Sequence, residues 1–397
     1  MKKIVDFIEK IKPHFSKGGR FGMFHSVFDG FHTFLFVPNA TSKSGVHIHD
    51  AIDSKRTMAL VVIALVPCLL FGMFNVGYQH FLALGLNANF FEMFWFGLLA
   101  VLPIVVVSYV TGLGIEFTVA QMRGHEIQEG FLVSGMIIPL IVPVDTPLWM
   151  IAVATAFAVI FAKEVFGGTG MNIFNVALVT RAFLFFAYPA KMSGDEVWVR
   201  TSSSFGFGGG TPIDAFSGAT PLGQAAVATG DKVALTNILG EPLSWWDMFL
   251  GLIPGSIGET STVAILLGGA LLVATGIASW KIMVSVFAGG LSMGLLINLL
   301  AVNAFMAIPV TTELVLGGFA FGAVFMATDP VTAARTETGK WIYGFFIGVL
   351  AILIRVLNPA YPEGMMLAIL FMNIFAALID HVVVSANIKK RLKRQKK

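Results

Sequence analysis

Long apolar runs separated by short polar stretches dominate this chain. Five runs, near 57–76, 93–118, 127–143, 148–166 and 172–188, precede a polar interval over 189–247; five more follow near 260–280, 282–303, 312–328, 341–357 and 364–386. A helix needs about 20 mostly apolar residues to cross the hydrocarbon of a bilayer. The pattern therefore predicts an all-α polytopic membrane protein with about ten transmembrane helices. Composition agrees, since 56% of the 397 residues are hydrophobic and only 12% charged. That is more apolar material than one globular core uses.

Charge placement sets the orientation. Lys and Arg gather before the first run and in the tail after residue 388, while only Lys191, Arg200, Lys232 and Arg355 fall on the opposite side if ten spans are counted. The positive-inside rule then puts both termini in the cytoplasm, as in a multi-pass protein of a bacterial inner membrane. Five regions follow: a cytoplasmic arm (1–56), a first five-helix unit (57–188), an outer loop (189–247), a second five-helix unit (248–388) and a basic tail (389–397). The net charge of +3 is too small to suggest nucleic-acid binding. The first residues form no cleavable signal, and the first span is expected to direct insertion.

A weak repeat relates the two units. Glu129-Gly-Phe-Leu-Val-Ser-Gly precedes Asp145 by the interval that separates Glu313-Leu-Val-Leu-Gly-Gly-Phe from Asp329. An offset of five spans makes the units inverted, as in transporters with sites at the repeat interface; similar composition of Gly-rich helices is the alternative. Pro139, Pro143 and Pro147 near Asp145, and Asp329-Pro330, predict helices broken inside protein.

Several residues carry candidate chemistry. Gly167-Gly168-Thr169-Gly170-Met-Asn172-Ile-Phe-Asn175 offers close backbone approach and two amides that can pair with a donor–acceptor edge. Gly255-Ser256-Ile-Gly-Glu259-Thr260-Ser261 offers N–H groups and hydroxyls suited to a phosphate or ring, or simply a helix cap. Arg181, inside a span, needs a buried carboxylate or an oxygen of a bound group as partner. Ionisable groups in hydrocarbon are functional candidates by default, and hard cations prefer oxygen ligands; Glu129, Asp145, Glu164, Asp329 and Asp380 are the carboxylates to inspect. His47-Ile-His49-Asp50 is too sparse for a transition-metal site. The single cysteine, Cys68, excludes an internal disulfide and a four-thiolate cluster.

The outer loop contains Asp214-Ala-Phe-Ser217-Gly218-Ala219-Thr220, and the pattern resembles the flavinylation signature of membrane redox pumps. With His47 to Met58, Ala162 to Asn175, Gly255 to Ser261, Ala327-Thr-Asp-Pro-Val-Thr332 and Leu378-Ile-Asp380-His, the chain resembles the B subunits of sodium-translocating NADH:quinone reductases; related D subunits of Rnf complexes generally lack the long arm. The resemblance implies FMN in phosphoester linkage to Thr220, with Asp214, Ser217, Gly218 and Ala219 read by a flavin transferase, and a noncovalent riboflavin. Asn172, Asn175, Arg181, Gly255, Ser256, Glu259, Thr260 and Ser261 are then flavin-binding candidates, and Asp380 and Glu129 match acidic positions linked to sodium uptake. It further implies partners: an NADH-oxidising subunit with FAD and a 2Fe–2S centre, a second FMN-carrying subunit, small membrane subunits, and a quinone. The chain itself has no nucleotide-binding motif. With Thr220 outside and the arm inside, roughly 30 Å of hydrocarbon separates them, so an intermediate carrier is expected. The competing reading is a flavin-free inverted-repeat transporter.

Overall fold

The computed structural model describes residues 10–15, 19, 21–22, 28, 30, 32–33, 45, 53–123, 130–202, 217–228, 233–358 and 363–395. Glu129, Asp214, His47 and His49 lie outside them. Among the described residues the chain is helical, and its only β contact is an isolated bridge between Thr236 and Pro242.

Six helical segments are long and apolar enough to cross a membrane. They are α1 (Ser54–Ala83), α2 (Phe90–Arg123), α4 (Leu148–Ala158, prolonged by a π-turn and a 3₁₀ turn to Phe166), α9 (Trp280–Leu300), α12 (Glu337–Leu357) and α13 (Met365–Gln395). Three further apolar helices are short: α3 (Phe131–Leu140), α5 (Val176–Ala187) and α8 (Thr262–Ala274). At 1.5 Å per residue they reach about 15–20 Å, half a bilayer. The apolar run at 312–328 is broken as well, into α10 (Val310–Val315), a bend at Leu316–Gly318, and α11 (Phe319–Phe321) running into a π-turn to Met326. Two small helices, α6 (Pro221–Val227) and α7 (Trp245–Leu250), belong to the polar interval.

Four of the ten apolar runs thus form short or interrupted helices, for a local reason in each case. Pro139 stands in the last turn of α3, and Pro143 and Pro147 prevent its continuation. Asn175 caps α5, its Oδ1 accepting the amides of Ala177 and Leu178. Ser261 Oγ caps α8 through the Ala264 amide. Gly317 and Gly318 take φ of +61° and +66° at the bend after α10, a region open to glycine at little cost.

The freed backbone groups find protein partners. The Leu140 and Val142 carbonyls accept the Gly258 and Ile257 amides (2.7 and 3.3 Å), and the Val144 carbonyl accepts Arg200 Nη2 (3.0 Å). Beyond α10, the Arg355 guanidinium donates to the carbonyls of Glu313 (2.6 Å) and Leu316 (3.2 Å). Ile141, Val142 and Arg355 are fully buried. Non-helical backbone at membrane depth persists only where protein encloses it, and both breaks meet that condition.

In the first group of helices, α2 packs on α3 and α4, α4 on α5, and α3 on α1 and α5. The second group repeats these pairings when α10–α11 and its π-turn count as one element: α9 on that element and on α12, α12 on α13, and the broken element on α8 and α13; the broad α1–α2 contact of the first group has no comparable counterpart between α8 and α9. The groups meet through α1 with α8 and α5 with α13. Small residues make the close seams. A methyl group added to Gly97 would overlap the Met73 carbonyl between α1 and α2, and one on Gly348 the Val286 carbonyl between α9 and α12.

The polar interval is partly folded onto this bundle. Val197, Trp198 and Val199 are buried with Ala83 and Ile238 alongside, and Arg200 is clamped by Asp145 (2.8 Å) while its carbonyl meets His80 Nδ1 (2.7 Å).

Candidate functional site

Two cavities lie at opposite ends of α8. Thr260, just before its start, lines one and Leu272, near its end, the other; both open to the outside, and their volumes include the open mouths.

The first, about 840 Å³, is bounded by α3, the 163–176 segment, the end of α8 and the turn after Met326. Asn172, Asn175, Asp329, Lys163 and Thr169 supply its polar groups, and Val133, Ile137, Leu272 and Phe325 much of its apolar wall. Spaced three apart, the two asparagines would share one face if the segment were helical. Instead, Gly167, Gly168 and Gly170 at φ of +119°, +96° and +88° hold 167–175 as a loop, and the asparagines share the cavity through that fold. Asn175 is committed on both sides of its amide: Oδ1 caps α5, and Nδ2 donates to Asp329 Oδ2 (3.2 Å). Asp329 also accepts the Val331 amide (3.0 Å) and the Thr332 hydroxyl (3.2 Å). Asn172 Nδ2 donates to the Phe174 carbonyl (3.0 Å). Lys163, next to Glu164 in sequence, forms its ion pair with Glu116 of α2, and both are buried; Glu164 pairs with Arg123 (3.5 Å). Glu116 was not singled out in the sequence, where it looks like any acid near a helix end.

The second cavity, about 400 Å³, is enclosed by residues 253–260, the bend at Val315–Gly318, Glu363 and the start of α6. Thr220 stands in its wall, half-buried, as the N-cap of α6: its Oγ1 accepts the Gly223 amide (3.1 Å) and Pro221 takes the first helical position. Gly218 is buried, its amide on the Asp195 carbonyl (2.8 Å), and Ser217 is exposed. Ser256, Glu259, Thr260 and Gly255 line the same cavity, whereas Ser261 serves as the cap of α8.

Arg181 reaches this site from α5. Its guanidinium donates to Ser256 Oγ (3.0 Å) and Glu259 Oε2 (3.2 Å) and pairs closely with Glu363. Of its two expected kinds of partner, the carboxylate is present. Glu259 Oε1 is buried without a hydrogen-bond partner beside Gly318, so an acceptor is left toward the cavity. Polar support comes from residues the sequence pattern did not single out. Asn75 of α1 donates to the Ile253 carbonyl (2.9 Å), Gln79 donates to Asn75, and Arg355 holds the Glu363 carbonyl (3.2 Å).

The other carboxylates are placed differently. Asp145 is spent on Arg200. Asp380 of α13 accepts the Arg335 and Thr336 amides (2.7 and 2.9 Å) and the Thr336 hydroxyl (2.6 Å), fixing the entry to α12. Among the described residues no three His, Cys, Asp or Glu side chains group as a metal site.

Residues 41–389 match the model of the NQR2, RnfD, RnfE family. The chain is 46% identical to the B subunit of the Na(+)-translocating NADH-quinone reductase of Neisseria meningitidis serogroup B, covering 98% of each chain. It is 45% identical to the proteins of the same name from Pseudomonas aeruginosa and Klebsiella pneumoniae, again over 98% of each.

Proposed function

The chain belongs to the NQR2, RnfD, RnfE family, and from that premise we propose that it is the membrane subunit of a sodium-translocating NADH:quinone reductase, with one flavin on Thr220 and a second held noncovalently by the asparagine cavity. The observation that carries the reading is the pair of cavities at the two ends of α8, one walled by Thr220 and the other by Asn172 and Asn175. Near full-length similarity to proteins named as B subunits favours this assignment over the Rnf relatives.

The residues present suit the two groups. At Thr220, Arg181 and the Ser256 and Thr260 hydroxyls offer donors to a phosphate or a ring oxygen, and Glu259 Oε1 offers an acceptor to a ring N–H. In the larger cavity, apolar walls would cover a flat ring system, Asn172 and Thr169 would fix its polar edge, and the Asn175–Asp329 pair would hold the wall rigid. Bound flavins would supply one- and two-electron redox chemistry. The protein's role is to hold two carriers on opposite sides of one short helix, exclude water from both, and keep compensating charge near each: Arg181 at one, Lys163 at the other.

The same reading divides the membrane region into a pair of inverted five-helix repeats, 57–188 and 248–388. It is supported by the recurring helix pairings and by the meeting of like elements, α1 with α8 and α5 with α13. Both termini then face the cytoplasm of a bacterial inner membrane, and partner subunits oxidise NADH through FAD, a 2Fe–2S centre and a further FMN before electrons reach quinone. Among the described sodium-pathway candidates Asp329 is the carboxylate that borders a cavity; Asp145 and Asp380, with Glu129 outside the described residues, complete the set.

Intact mass and in-gel flavin fluorescence of the denatured subunit, purified from cells with the flavin transferase, test the assignment. Expected is a covalent FMN adduct that disappears in Thr220→Ala. An unmodified wild-type mass would remove the redox reading and favour a flavin-free transporter.

A further inference from the structure

A third concavity, apart from the Thr220 cavity and back to back with the asparagine cavity through Ile277, Ala278, Thr328 and Pro330, opens at the membrane boundary. It is a groove of about 1010 Å³, its open mouth included, between the α8–α9 turn and the 328–340 segment. It lies at the end of the bundle where Asp380 of α13 meets Arg335, the end that carries the basic run Lys389 to Arg394. Lys281, Arg335 and Lys340 line it against a single acid, Glu337. Both lysines reach Glu337, yet that carboxylate is mostly exposed while the lysine side chains are largely covered, at 29% and 23% of full exposure. The cations are therefore held on the groove wall, and the acid that balances them is held in water.

Two 21-residue helices, α9 and α12, begin at this groove. Ser279, the N-cap of α9, makes no side-chain capping bond, so first-turn amides are left for another acceptor. A partial positive charge from each helix adds to the lysines. Trp280 and Trp341 meet edge to face at 5.8 Å, both exposed, and Lys281 lies 5.9 Å over the Trp280 ring. Tryptophan at this position marks the headgroup level of a bilayer. Val273 and Ile277 continue the wall with apolar surface.

We propose that this groove binds the headgroup of an anionic phospholipid from the adjoining leaflet, its phosphate on Lys281, Lys340 and the start of α9, and its glycerol against Trp280 and Ile277. Phosphate chemistry alone would equally suit a free anion; the aromatic pair and the apolar wall favour lipid, because an inorganic anion gains nothing from them.

The test uses the purified membrane complex in nanodiscs and the quenching of tryptophan fluorescence by brominated phosphatidylglycerol against brominated phosphatidylcholine. The difference in quenching between wild type and Trp280→Phe isolates the signal of this site. Expected is a preference for phosphatidylglycerol that falls about fivefold for each lysine neutralised, in Lys281→Gln and in Lys281→Gln with Lys340→Gln. Glu337→Gln removes the competing acid and should raise the preference, so a general loss of fold cannot mimic the full set. Equal quenching by the two lipids, or the same preference in wild type and the double variant, would overturn the proposal. Displacement of the lipid by excess inorganic phosphate would overturn it in favour of a free-anion site.

Discussion

The two cavities at the ends of α8 solve the problem of buried polarity in opposite ways. Around Thr220 the structure concentrates full charges: Arg181 pairs with Glu259 and Glu363, and Arg355, from a fourth segment, holds the Glu363 carbonyl. Around Asn172 and Asn175 the one carboxylate among the described lining residues is Asp329, its acceptors filled by neutral donors; Lys163 of the same wall has its charge paired with Glu116. A charged network ties elements together but fails when one member is lost, whereas neutral hydrogen bonds each carry a smaller, more independent share. The Thr220 end is thus the brittle joint of the molecule and the asparagine end a tolerant one.

Breaking the brittle joint should have the largest effect. Arg181→Leu leaves Glu259 and Glu363 facing each other without their cation and should cost about 3–5 kcal/mol, read as a steep fall in the thermal inactivation temperature of the detergent-solubilised protein. A change no larger than that of a surface Arg variant would refute the contrast. Asp329→Ala strands three donors, on Asn175, Val331 and Thr332. The expected loss is about 1–3 kcal/mol, with reduced retention of noncovalent flavin and no change in the covalent FMN signal. Parallel loss of both flavins would show that the cavities are not separable. Thr220→Ala removes the α6 cap for about 1 kcal/mol and all covalent flavin, while Thr220→Ser restores the cap; noncovalent flavin extracted with acid should be equal in all three. Asp145→Asn loosens a partly exposed pair with Arg200 and should cost under about 1 kcal/mol, seen as faster protease cleavage near residue 200 with little change in unfolding.

A second contrast lies between the two helix breaks. The α3–α4 break is stitched by backbone amides of Ile257 and Gly258 and by Arg200 from the polar interval. The bend after α10 depends on one side chain, Arg355, inserted from α12. Asp145 and Asp329 hold matching positions in the similar stretches of sequence, yet Asp145 lies within the α3–α4 break and is paired to a cation, while Asp329 follows the π-turn after α11 and is held by amide and hydroxyl donors. The two stretches do not bend at one register: Gly317 and Gly318 correspond to Val133 and Ser134 inside α3, so each half sets its own break and acquires its own partners.

Much was legible in the residues alone. Apolar run length announced a helical membrane protein, prolines announced where two of the helices end, and the motifs named Thr220 and, in Gly167 to Asn175, the two asparagines, which prove to border two cavities. These signals are local, because they depend on backbone freedom and side-chain polarity over a few neighbours. The shortness of α5 and α8 was not legible, since hydropathy counts apolar residues whether or not they are helical. Nor were the pairs Lys163–Glu116, Asn175–Asp329 and Arg181–Glu363, which join residues 47, 154 and 182 positions apart. Sequence determined which groups had to be satisfied: a buried arginine needs an anion and a broken helix needs donors for its carbonyls. Tertiary structure alone decided which group answers each need, because that choice follows from which segments the packing of α1 on α8 and α5 on α13 brings within hydrogen-bonding reach.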